Sequence, residues 1–219
     1  MTIAAVALAT LVGYILGSVP MGVLACRPRG KDPRQVGSGR TGGTNVYRTA
    51  GLLPAVLTVA GDLAKGYAAV AAARHLLAHD THGAALAWAV SLAALAAVVG
   101  HNHSVFLGFR GGAGTAPNAG AALAVDPSSF ALAVVAGLAV LLGTRIASLA
   151  SMTVSGVLLL AIGWRIVDGS LPPPLAIYAF GQAVLVLWAL RPNLARLREG
   201  TERRVSLGRP PARTHAEGP

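Results

Sequence analysis

Seven stretches dominated by apolar side chains limit what this chain can fold into. Residues 3 to 26 and 52 to 73 are each long enough to cross a bilayer's hydrocarbon core as a helix, which takes about 20 residues. Residues 84 to 100 follow, with Trp88 as an interfacial anchor, and then come runs near 115 to 125, 128 to 143, 149 to 166 and 173 to 190. The run at 115 to 125 is short. With 12% charged residues, about half the share of a soluble domain, the chain reads as an all-α integral membrane protein.

Basic residues orient the bundle, because short cytoplasmic segments carry an excess of Lys and Arg. Arg27, Arg29, Lys31, Arg34, Arg40 and Arg48 crowd the first polar loop, and Arg191, Arg196, Arg198, Arg203, Arg204, Arg209 and Arg213 crowd the tail. Both segments inside means an external N-terminus, a cytoplasmic C-terminus and an odd number of crossings. A bundle of about seven transmembrane helices satisfies this, with Arg74 as the one misfit; five spans with a re-entrant 115 to 143 is the alternative. Residues 1–203 are predicted to form one domain, and the Pro-containing basic tail over 204–219 to be disordered.

The single cysteine, Cys26, excludes an intramolecular disulfide. His101 and His103 have no acidic companion, so no metal is predicted. No nucleic-acid partner is predicted either, although the net charge is +10.

An odd count of spans gathers four polar segments on the cytoplasmic face: "GSGRTGGTNVYR", "GHNHSVFLGFRGGAG", "TRIASLAS" and "RPNLARLREGTE". Glycines let backbone N–H groups turn toward an anion, and small hydroxyl or amide side chains add donors. Arginine adds a forked, permanently charged donor set. The first segment therefore has the composition of a phosphate cradle, and Arg110 with Gly111, Gly112 and Gly114 repeats the theme. It is not a nucleotide P-loop: Gly37, Gly42 and Thr44 have the spacing, but Gly43 stands where the lysine belongs. Asp62 and Lys65, three apart within the second span, are placed to pair; charges inside a bilayer face a bundle interior or a watery cavity.

These motifs, in this order, resemble the bacterial acyl-phosphate:glycerol-3-phosphate acyltransferases, the integral membrane family called PlsY, over roughly residues 8 to 203. The resemblance implies a seven-helix bundle in a bacterial plasma membrane. The implied reaction moves a fatty acyl group from acyl phosphate to the 1-hydroxyl of glycerol 3-phosphate, giving lysophosphatidate, with no cofactor. Carried over, Ser38 and Asn45 would be catalytic. Gly37, Gly39, Arg40, Gly42, Gly43, Thr44, Arg48, Arg110, Gly111, Gly112, Gly114, Ser148, Ser151 and Asn193 would hold substrate. Asp62, Lys65, His101 and Glu202 would support the site.

The chain departs from the family pattern at Ala113, where a lysine is usual, at Leu190, where a histidine is usual, and at Arg40 and Gly43, where asparagine and alanine are usual. Arg40 is the candidate replacement for the missing lysine. Two other readings compete: a catalytically silent relative that binds lipid phosphate or regulates a paralogue, and a small transporter suggested by the intramembrane Asp62 and Lys65.

Overall fold

The computed structural model describes residues 2–78 and 83–205; the predicted disordered tail therefore lies outside the described residues except for Arg204 and Val205. Among the described residues nine α-helices run in order: α1 (Thr2–Ser18), α2 (Met21–Cys26), α3 (Gly43–Ala50), α4 (Leu52–Leu76), α5 (Ala84–Asn102), α6 (Thr115–Val125), α7 (Pro127–Thr144), α8 (Ala147–Val167) and α9 (Leu175–Arg198). Short 3₁₀ turns occupy Arg27–Arg29, Pro33–Gln35 and Val105–Leu107. Among the described residues no strand forms beyond one isolated bridge between Ser104 and Arg110.

Among the described residues six segments are long and apolar enough to span a membrane: α1 with α2, then α4, α5, α7, α8 and α9. The predicted run at 115 to 125 is helical too, but α6 has 11 residues. It ends at Asp126, whose carboxylate caps α7 by accepting from the Ser129 N–H at 2.9 Å. Residues 115 to 143 thus form two helices with a capped break. The predicted single span over residues 3 to 26 is itself broken after Ser18. Pro20 has no backbone N–H and disfavours helix in the residue before it, so α2 restarts at Met21.

Large side chains such as Leu132, Val135, Leu160, Trp164 and Phe180 point outward, while alanine dominates the interior. In lipid, helices associate through close backbone packing rather than by hiding apolar surface from water. The α1–α5 contact shows it: a Cβ on Gly17 would run into the backbone of Ala97, and one on Gly100 into the carbonyl of Tyr14. Both contacts put the two backbones in touch, so no larger residue fits.

A polar network ties the bundle centre. Asn118 on α6 donates to Gln182 on α9 at 2.6 Å, Ser155 on α8 donates to the same Gln182 oxygen at 2.7 Å, and the Tyr178 hydroxyl donates to Asn118 Oδ1 at 2.7 Å. The Gln182 amide nitrogen donates to the carbonyls of Ser155 and Ala179. All of these side chains are buried. Replacing Gln182 with Leu strands the donors of Asn118 and Ser155, at a cost of about 1–3 kcal/mol. A lower thermal midpoint in detergent, with the helical circular-dichroism signal unchanged at low temperature, is the expected result for Gln182→Leu.

Candidate active site

The Gly-rich loop is shaped by one side chain. Asn45, in the first turn of α3, is buried, and its Oδ1 accepts from the Ser38 N–H at 3.1 Å. Its Nδ2 donates to the carbonyls of Pro33, Val36 and Arg40 at 2.7, 3.0 and 2.8 Å. The amide that the sequence suggested as catalytic makes all four of these hydrogen bonds to the loop backbone and so fixes the loop's shape. Gly37 and Gly39 take left-handed backbone conformations, with φ of +64° and +69°, that side chains rarely adopt. Gly42 caps α3. Gly43 packs against Val59 of α4 so closely that a Cβ would collide. Ser38 is exposed and Thr44 half-buried at the start of α3, whose leading N–H groups favour an anion.

Across from this loop, α8, α9 and the tail build a second polar cluster around Glu202. One carboxylate oxygen accepts from Asn193 Nδ2 at 2.7 Å and Ser148 Oγ at 3.0 Å; the other accepts from Arg196 Nε at 2.8 Å. The tail reaches this position by turning at Gly200 (φ +69°), and the Val205 N–H donates to the Arg145 carbonyl at 2.6 Å. Burial opposes ionisation of Glu202, but hydrogen bonds from Asn193, Arg196 and Ser148, with the Arg196 charge, outweigh it and hold the carboxyl below its ordinary value.

Arg40 joins the two clusters. Its guanidinium donates to Asn193 Oδ1 at 2.9 Å and to the Ala189 carbonyl. It is held on α9 beside Leu190, the position where the resembling family carries histidine. Arg48, at the end of α3, is half-buried within electrostatic reach of Arg203 and Glu202, and Arg40 within reach of Arg196 and Glu202. Burial first, then the neighbouring arginine, lowers the pKa of both Arg40 and Arg48. Arg196 pairs with Glu202 at 2.8 Å while Arg40, Arg48 and Arg203 lie in the same neighbourhood, an excess of positive charge suited to an anion. Ser151 lies one turn along α8 from Ser148 and is half-buried.

The second Gly-rich segment is seated on His101. The Gly112 N–H donates to the His101 carbonyl at 3.1 Å, and a Cβ on Gly112 would strike His101 Nε2. Gly114 has φ +86° at the start of α6. Beneath it, Lys65 Nζ lies 2.8 Å from Asp62, 2.9 Å from His101 Nδ1 and 2.9 Å from the Val19 carbonyl. Asp62, Lys65 and His101 are only 1%, 7% and 5% exposed. The predicted Asp62–Lys65 pair is present, and His101 is the partner that spacing alone did not reveal. The ammonium is thus engaged inside the bundle by an ion pair with Asp62 and close contacts with His101 and the Val19 carbonyl. Arg110 is exposed and is joined to Ser104 by the backbone bridge that closes the segment between α5 and α6.

A multi-pass membrane bundle with an arginine-ringed polar site is the class that fold and geometry define. The profile of the family described as glycerol-3-phosphate acyltransferase matches residues 7–200. A glycerol-3-phosphate acyltransferase of Thermus thermophilus is 43% identical over 201 residues, covering 89% of this chain and 92% of the relative. One of Rubrobacter xylanophilus is 44% identical over 201 residues, covering 90% and 94%. The crystal structure of PlsY, an integral membrane glycerol 3-phosphate acyltransferase, in its glycerol 3-phosphate form aligns with TM-score 0.80 and 31% identity over 92% of this chain and 96% of that one. Its lysophosphatidic acid form aligns with TM-score 0.77 at 31% identity, covering 91% and 94%. The chain belongs to the glycerol-3-phosphate acyltransferase family.

The Glu202 hub makes the tail pH-sensitive. A carboxyl whose folded value is depressed stabilises above its ordinary range and loses that contribution as pH falls through the lowered value. The protection factor of the Val205 amide, its exchange rate corrected for the intrinsic rate at each pH, should therefore be high at neutral pH and fall in acid. In Glu202→Gln it should be low at both.

Proposed function

We propose that the chain transfers a fatty acyl group from acyl phosphate to the 1-hydroxyl of glycerol 3-phosphate at the cytoplasmic face of a bacterial plasma membrane. The broader statement follows from its family: it is an integral membrane acyltransferase of glycerol 3-phosphate. The observation that carries the finer reading is the meeting of the Asn45-shaped loop with the Arg40–Asn193–Glu202 network.

In this reading Gly37, Ser38, Gly39, Gly42, Gly43 and Thr44 cradle a phosphate, with Arg40 and Arg48 supplying charge. Ser148, Ser151 and Asn193 line the acceptor's place, and Gly111, Gly112 and Gly114 offer a second backbone cradle. The acceptor hydroxyl oxygen attacks the acyl carbonyl carbon, the bond from that carbon to the phosphate oxygen breaks, and the departing phosphate takes the hydroxyl proton. Acyl phosphate is already activated, so placement and charge stabilisation suffice. Arg40 and Arg196 keep the site strongly cationic even with Ala113 in place of a lysine. Residues 1–203 act as one unit, with seven passes, the N-terminus outside and the site inside.

Purified protein given palmitoyl phosphate and glycerol 3-phosphate should release phosphate and form lysophosphatidate. Asn45→Ala, which lets the loop drift, should lower the rate on the order of 10²-fold. A well-folded protein without transfer would instead favour the silent relative. Arg40→Ala should raise KM for glycerol 3-phosphate about tenfold or more, as loss of a charge-assisted contact worth about 1.5–3 kcal/mol requires. Unchanged affinity would remove Arg40 from the cradle.

A further inference from the structure

The segment between α5 and α6 carries an apolar tip that the reaction does not use. The Leu107 and Phe109 N–H groups both donate to the Ser104 carbonyl, at 3.1 and 2.8 Å, and Ser104 bridges Arg110, so residues 104 to 110 close into a tight hairpin. Gly108 and Phe109 both have φ +61°, and a bulky residue enters that region only at a cost. The turn directs apolar side chains outward: Val105, Phe106 and Phe109 are 41%, 57% and 63% exposed. Arg110 at its foot is exposed as well.

The hairpin is fastened to the membrane-embedded part of the fold. The Ser104 hydroxyl donates to the Ser18 carbonyl at 2.6 Å, and the Tyr14 hydroxyl donates to the His103 carbonyl at 3.0 Å. Both partners belong to the end of α1, whose exposed Leu8, Leu11 and Ile15 face lipid. An apolar groove of about 1010 Å³ between α1 and α5 has Tyr14 and Val99 in its lining, so the lipid-facing surface is continuous down to the hairpin. An exposed apolar patch marks an interaction surface, and apolar residues with an adjacent cation suit the boundary between acyl chains and anionic headgroups.

We propose that the Ser104–Arg110 hairpin is a membrane-dipping element, with Val105, Phe106 and Phe109 seated in the lipid interface and Arg110 at the headgroup phosphates. The partner is the bilayer surface on the side where α1 ends. Only the membrane-spanning fold is required, so the hairpin stands or falls independently of acyl transfer. By holding the tip at a fixed depth, lipid also fixes the height of Gly111–Gly114, which begins one residue later.

The test uses the full chain with Cys26→Ala, carrying a nitrobenzoxadiazole fluorophore at Phe106→Cys, in vesicles of phosphatidylcholine and phosphatidylglycerol. Emission should be quenched several-fold more strongly by a nitroxide-bearing lipid than by aqueous iodide. The same probe at Glu199→Cys, on the exposed end of the cytoplasm-predicted helix α9, should show the reverse. A Phe106 probe that behaves like the Glu199 probe overturns the proposal. So does disulfide cross-linking through Phe106→Cys that persists when the protein is diluted in lipid, since a second copy would then cover the tip. Phe109→Cys supplies an independent probe if Phe106→Cys misfolds, and must give the same ordering.

Discussion

A single ammonium holds the membrane-embedded half of the site together. Lys65 is 7% exposed, and its three acceptors come from three separate pieces of chain: the Val19 carbonyl at the break after α1, Asp62 on α4 and His101 on α5. A charge that deep persists only when its partners are fixed, so the three segments are held in register by the cost of leaving any of them. Lys65 and Asp62 both lie against His101 Nδ1, at 2.9 and 3.4 Å, while Gly112 rests on the Nε2 edge of the same ring. The height of the second Gly-rich segment is thus set by a charge buried beneath it.

The opposite wall works by a different economy. Around Glu202, itself in the tail, the partners are Ser148 of α8 and Asn193 and Arg196 of α9, and they converge because one carboxylate can satisfy several donors at once. Arg40 is drawn into this arrangement from the first loop. An arginine ring held by a single internal anion is poised for exchange with an external one, whereas the Lys65 node is closed. A rigid floor and a displaceable rim are what a site must have if a phosphate is to come and go.

Much of this was legible in the sequence because the bilayer enforces simple rules. Most apolar runs matched their helices within three residues, but α9 continues to Arg198, eight residues past its apolar run, because its last two turns are polar, and the short α3 lies in what hydropathy reads as a loop. The break at Pro20 was missed by reading hydropathy alone, although the proline stood in plain view. The Asp62–Lys65 pair followed from helical spacing, but His101 could not: it arrives from a helix 36 residues away. Asn45 was picked out from the sequence as a candidate site residue, while its four hydrogen bonds to the loop depended on which way its amide turned. Arg40 was singled out as a departure from the family pattern, and its bonds to Asn193 and Ala189 emerged only in three dimensions.

The brevity of α6 reaches beyond helix counting. Eleven residues rise about 16 Å, roughly half the thickness of a bilayer's hydrocarbon layer. The rest of a full crossing along that line has to be made by Gly111–Gly114 and the polar segments around it. Under the proposed reaction, that would let a water-borne acceptor and a lipid-borne carbonyl meet below the surface plane, each still in its own solvent.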